Sequence, residues 1–133
     1  MMKKLLIVLI SIAGFNAMAQ TTPSTVVTNI SAEDFQKLAA SDKNGVIIDL
    51  RTDEELAKKG FIKGAVQIDF LAKDSEKQID KLDKNKTYYI YCASGGRSGE
   101  CAEYMEKHNF KRVFNLSKGF TSWAAKGLPV EKK

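Results

Sequence analysis

The sequence predicts an α/β domain: a single, mostly parallel five-stranded sheet with helices on both faces. Short β-branched and aromatic runs alternate with helix-spaced segments along the chain. Alternation of that kind closes as right-handed crossovers, each laying a helix against the sheet. The size agrees, since 133 residues, 44% hydrophobic and 28% charged, suit one core and not two.

The first nineteen residues are expected to stand outside that core. Lys3 and Lys4 precede an apolar run from Leu5 to Phe15, and Ala17-Met18-Ala19 then offers a small-x-small cleavage site before Gln20. The apolar run is about half of the roughly 20 residues a spanning helix needs, so a secretory signal is expected over residues 1–19. A periplasmic or secreted location follows, with no membrane association once the signal is removed. Residues 20–25, polar around Pro23, read as a flexible leader, and 26–133 as the domain. Loss of Lys3 and Lys4 lowers the formal charge from +5 to +3. The basic residues are interspersed with acidic ones, without the dense stripe that a nucleic-acid partner requires. Two cysteines and one histidine are too few for a closed zinc site, so neither metal nor other cofactor is expected.

Val26 to Ile30 is β-prone. Ser31 then places a capping hydroxyl three residues before Asp34, opening a helix with Phe35, Leu38 and Ala39 on one face. Asn44-Gly45 ends it, and Val46-Ile47-Ile48 suits a strand buried on both faces. A helical turn is expected from Asp53 to Lys58, a short strand from Ala65 to Ile68, and a weaker amphipathic helix from Leu71 to Leu82. Thr87 to Cys92 is the clearest strand, rich in tyrosine and β-branched residues. A loop over Ala93 to Arg97 leads to a helix from Ser98 to Lys107, with Cys101, Ala102 and Met105 inward. Arg112 to Leu116 is the last strand, and Gly119 to Lys126 a last helix carrying Phe120 and Trp123, stopped by Gly127 and Pro129. His108 falls where its helix should end and reads as a capping or exposed residue.

In open parallel sheets ligands gather where strand carboxyl ends run into helix N-termini, the position of Cys92-Ala93-Ser94-Gly95-Gly96-Arg97-Ser98. Small residues and two glycines let the loop curl so that successive amides converge on the sulfur. Together with the helix dipole they are expected to pull the thiol below its ordinary value of about 8.5 and make Cys92 nucleophilic at neutral pH. Arg97 supplies a fixed charge, either to hold an anionic donor or to bond loop carbonyls.

These residues and three other segments, in order, resemble the rhodanese-like family from Ile30 to Glu131. Cys92, Gly95, Arg97 and Ser98 are similar to its Cys-x-x-Gly-x-Arg-Ser active loop, and Asp49-Leu50-Arg51 with Glu55 to its Asp-x-Arg…Glu signature. Gly60-Phe61-Ile62-Lys63-Gly64-Ala65 resembles Gly-His-Ile-Pro-Gly-Ala, and Leu116 to Trp123 the closing Leu-x-Gly-Gly-x-x-x-Trp. Phe61, Lys63 and Lys118 depart from the usual His, Pro and Gly. Lys118 is either a solvated surface charge or a source of positive potential at the mouth of the loop.

The resemblance implies sulfur relay: Cys92 takes sulfane sulfur from a donor such as thiosulfate and yields it to cyanide or a thiol. A partner-specific persulfide carrier would use identical residues, with a protein as acceptor. A phosphatase or arsenate reductase would need a wider Cys-x5-Arg loop, whereas Cys92 to Arg97 is Cys-x4-Arg; a non-catalytic binding module would commonly lack the cysteine. Asp49, Arg51 and Glu55 are expected to form a supporting network, Arg51 pairing with Glu55 and Asp49 accepting amides. Cys101 reads as a packed core residue, or as a thiol that resolves an oxidised or persulfidated Cys92. A bridge needs Cα atoms within about 7 Å, and a curled loop followed by a helical turn should hold them farther apart. A monomer is expected.

Overall fold

Strand β4 (Thr87–Tyr91) lies at the centre of a five-stranded parallel sheet in the computed structural model, which describes residues 26–133. The expected signal segment 1–19 and leader 20–25 lie outside the described residues. The other strands are β1 (Val27–Ile30), β2 (Gly45–Asp49), β3 (Val66–Gln67) and β5 (Arg112–Leu116), in the order β1-β5-β4-β2-β3. Register is fixed across the centre, with Ile48 beside Ile90 and Ile90 beside Asn115.

Alternation along β4 divides the core. Tyr88, Ile90 and, one residue beyond the strand, Cys92 face helices α3 (Ser75–Asp80) and α4 (Gly96–Lys107), packing with Ile79, Cys101, Ala102 and Met105. Tyr89 and Tyr91 face α1 (Ala32–Ser41) and α5 (Gly119–Ala125), where Phe35 meets both tyrosines and Trp123 edge-on.

Local chemistry sets the helix ends. Ser31 Oγ accepts from the Asp34 amide at α1. At α2 (Asp53–Lys59) Thr52 and Glu55 close a reciprocal capping box. The expected Leu71–Leu82 helix shrinks to α3, because the Asp69 carboxylate takes the Leu71 amide and its carbonyl takes the Ala72 amide. That turn leaves Leu71 66% exposed, so it cannot contribute to an inward stripe. Conversely, α4 begins at Gly96, two residues before its expected start, which brings Arg97 into the first turn. The β3 strand is only two residues long, with Val66 exposed, because it is an edge paired on one side by β2.

The chain leaves β2 towards β3 at one edge and leaves β4 towards β5 on the other side. The carboxyl ends of these neighbouring strands therefore open a crevice between them. The segments after β2 and β4 meet there.

Candidate active site

Cys92 follows the last residue of β4, and Gly95 at φ +111° turns the chain back so that α4 starts directly above the sulfur. Only glycine holds that conformation without strain. The turn brings the Gly95 amide to 3.1 Å from Cys92 Sγ and the Ser98 amide to 3.4 Å. Ser98 Oγ stands 3.4 Å from the sulfur and 3.3 Å from the Gly95 carbonyl. Burial opposes ionisation of this thiol, but the Ser98 hydroxyl and the amides of Ser98, Gly95 and Ser94 outweigh it and set its pKa below the ordinary value.

The sulfur is more sheltered than a strand-end position suggests: Cys92 is 1% exposed, whereas Ser94 and Gly96 above it are exposed. The loop is also tied from below. Cys92 and Ala93 carbonyls accept from the Phe120 and Thr121 amides at 2.8 and 3.0 Å, and Thr121 Oγ1 donates to the Ala93 carbonyl at 2.9 Å. Approach that close requires Gly119, where a Cβ would fall 2.6 Å from both carbonyl oxygens.

The supporting carboxylates are paired differently from the sequence expectation. Arg51 does not pair with Glu55. Its Nε and Nη2 donate to Asp49 Oδ1 and Oδ2 at 3.0 and 2.7 Å, and Nη2 also donates to the Gly60 carbonyl at 2.8 Å. Both residues are almost wholly buried, and the guanidinium lies 4.0 Å from the Phe120 ring centroid. Asp49 does accept an amide, that of Arg51 at 3.0 Å. The Tyr91 hydroxyl donates to Asp49 Oδ2 and accepts from the Ile62 amide.

Glu55 instead reaches across the crevice to Arg97, whose Nη1 and Nη2 donate to its two oxygens at 2.6 and 2.9 Å. Arg97 thus uses its fork on a carboxylate rather than on loop carbonyls, because its place in the first turn of α4 faces the N-terminal turn of α2. The Arg97 hydrogen bonds, helped by the Thr52 amide, overcome burial and hold Glu55 at about 2.

Three loop residues, Ser94, Gly95 and Ser98, thus act on the Cys92 sulfur, and α2 braces the loop through the Glu55–Arg97 pair. The family described as Rhodanese-like domain matches residues 31–126. This chain belongs to the rhodanese-like domain family. A sulfurtransferase of Allochromatium vinosum is 30% identical over 79% of this chain and 95% of its own length. A putative sulfur carrier protein of Bacillus subtilis, YrkF, is 37% identical over 75% of this chain, which spans about half (52%) of that relative. Among solved structures, a rhodanese-like domain protein from Staphylococcus aureus superposes with a TM-score of 0.65 at 31% identity, covering 78% of this chain and 98% of that one.

Other positions in this rhodanese-like domain fall less centrally. Cys101 is buried in the α4 face of the core, where burial first and the Cys92 charge second push its thiol up to about 12. The two cysteines are unbonded. His108 caps α4, its ring stacked on Tyr104 at 3.8 Å. Sequence reasoning missed the Tyr91 hydroxyl and the α5 amides. The first carried a signal, a tyrosine one residue before the cysteine on a strand whose alternate residues face opposite sides. The second depends on a close approach of two chain segments that no local pattern encodes.

Proposed function

We propose that this rhodanese-like domain is a sulfurtransferase that carries sulfane sulfur as a Cys92 persulfide. The convergence of the Gly95 and Ser98 amides on Cys92 Sγ carries this reading. In the first half-reaction the Cys92 thiolate attacks the outer sulfur of thiosulfate. An S–S bond forms to Sγ, the donor's S–S bond breaks, and its electron pair leaves with sulfite. The persulfide keeps one negative charge and sulfite carries two, balancing thiolate and thiosulfate. In the second, cyanide or a thiolate takes the terminal sulfur and the Cys92 thiolate returns. No proton moves in either step, so no histidine base is needed.

The same amides that favour the thiolate favour the persulfide anion, because both place negative charge on sulfur within reach of fixed N–H dipoles. A sheltered sulfur beneath Ser94 and Gly96 suits donors that present one slender terminal sulfur atom. Arg97 and Glu55 hold the loop and α2 together, Asp49 and Arg51 anchor the end of β2, and Ala93 and Ser94 complete the curl. The sulfur-transfer partners are a small-molecule donor and a thiol or cyanide acceptor, a protein acceptor being the carrier form of the same chemistry. The chain is proposed to act outside the cytoplasm, on the strength of Lys3, Lys4, the run from Leu5 to Phe15 and Ala17-Met18-Ala19.

Steady-state thiocyanate formation from thiosulfate and cyanide tests the reading. Parallel double-reciprocal lines, the signature of a covalent intermediate, and complete loss in Cys92→Ser are expected. Turnover that survives Cys92→Ser would refute it.

A further inference from the structure

We infer that Lys118 is the cation that receives an anionic donor at the Cys92 loop, an inference that rests on the sulfurtransferase reading. Three observations converge on it. Lys118 holds a left-handed backbone at φ +62°, a conformation unfavourable for a side chain with a Cβ and open to glycine. It also adjoins the loop: a Cβ built on Gly95 would lie 3.7 Å from the Lys118 amide nitrogen, and Gly95 itself donates to Cys92 Sγ. Lys118 is exposed, and its ammonium has no ion-pair partner among the described residues. A stem of roughly 6 Å lets the ammonium swing over the crest of the loop.

The charge around the sulfur explains why a cation is needed. Arg97, the obvious candidate from sequence, is neutralised by two hydrogen bonds to Glu55. Arg51 is neutralised by Asp49 and lies beneath the surface. Asp69, whose charge is felt at Arg97, adds a further negative charge beside the crevice. With these two pairs neutralised, the Cys92 thiolate and Asp69 leave negative charge that repels a dianion such as thiosulfate, which a flexible cation at the loop would offset. Lys118 sits at the N-cap of α5, whose next amides already bind the loop carbonyls, so donor and loop share one platform.

The test compares Lys118→Gly, Lys118→Arg and Lys73→Ala, a control that removes an exposed charge from the turn after Asp69. Glycine is at ease at φ +62°, so Lys118→Gly retains the fold. It should lower the second-order rate of Cys92 charging by thiosulfate about tenfold, as expected for one charge facing a dianion at a few ångström in water, and flatten its salt dependence. Arginine should restore the rate, and Lys73→Ala should match the parent. A second readout needs no sulfur chemistry: the ratio of Cys92 alkylation by anionic iodoacetate to that by neutral iodoacetamide should fall about threefold in Lys118→Gly. Unchanged charging and an unchanged ratio would overturn the inference while leaving the sulfurtransferase reading intact. An equal loss in Lys73→Ala would overturn it as well. Failure of the parent protein to accept sulfur, with the alkylation ratio still falling, would count against the sulfurtransferase reading and leave Lys118 as an anion-attracting residue.

Discussion

Ser98→Ala isolates one contributor to the anion site, and the geometry sets its size. The hydroxyl has a single proton and two acceptors, Cys92 Sγ at 3.4 Å and the Gly95 carbonyl at 3.3 Å. With a thiol present, S–H donates to Oγ and Oγ–H donates to the carbonyl. With a thiolate, Oγ–H must turn to the sulfur and give up the carbonyl. The gain is a bond to a charged group, about 1.5–3 kcal/mol, less a neutral one of about 0.5–1.5 kcal/mol. A net of about 1–1.5 kcal/mol corresponds to roughly one pKa unit. The Gly95 and Ser98 amides stay in place, so the variant should titrate about one unit above the parent. The assay is the pH dependence of Cys92 alkylation by iodoacetamide, followed by intact mass, where the midpoint reports thiolate formation independently of how sheltered the sulfur is. An unchanged midpoint would refute the role given to the hydroxyl.

Asp49→Asn should destabilise the domain by about 3–5 kcal/mol in urea, because it leaves the buried Arg51 charge uncompensated; a loss under 1 kcal/mol would contradict that pairing. Gly119→Ala, with its Cβ 2.6 Å from the Cys92 and Ala93 carbonyls at φ +59°, should cost about 2 kcal/mol or more and move the Cys92 alkylation midpoint towards that of a free thiol. Glu55, held at about 2, stabilises the folded state above pH 4.5 and loses that contribution as pH falls through 2. Glu55→Gln should therefore be less stable by about 1 kcal/mol at pH 7, the pair being partly solvated, and the difference from the parent should vanish near pH 2 in a pH series of thermal melts.

The architecture was legible because each strand and most helices announce themselves locally. Ser31 with Asp34 marks the start of α1, and Tyr88 to Tyr91 alternate between two cores. The α3 segment was not, because Asp69 diverts the amides of Leu71 and Ala72 into a turn that hydrophobic spacing cannot register. At the site, the curl from Cys92 to Ser98 followed from its glycines, which allow amides to face one point. The carboxylate partners did not follow, since Arg51 and Glu55 are close in sequence but separated by the capping box that turns Glu55 towards α4. Pairing across the crevice is a property of strand order, which places β2 beside β4.

Strand order has a functional consequence too. Because the chain leaves β2 and β4 in opposite directions, the Cys92 loop is braced on one side by Arg97 and Glu55 and from below by the amides of Phe120 and Thr121. A loop fixed in this way presents its dipoles before any donor arrives, so the proposed relay would need no reorganisation as charge moves between Sγ and a sulfur bound to it.

Intact-protein mass spectrometry after thiosulfate tests the persulfide directly. A gain of about 32 Da is expected, the mass of one sulfur atom transferred by exchange. Fragmentation should place it on Cys92 and not Cys101, and cyanide should remove it. An unmodified Cys92, or sulfur found on Cys101 alone, would contradict the claim that the loop amides hold a sulfur anion at that position.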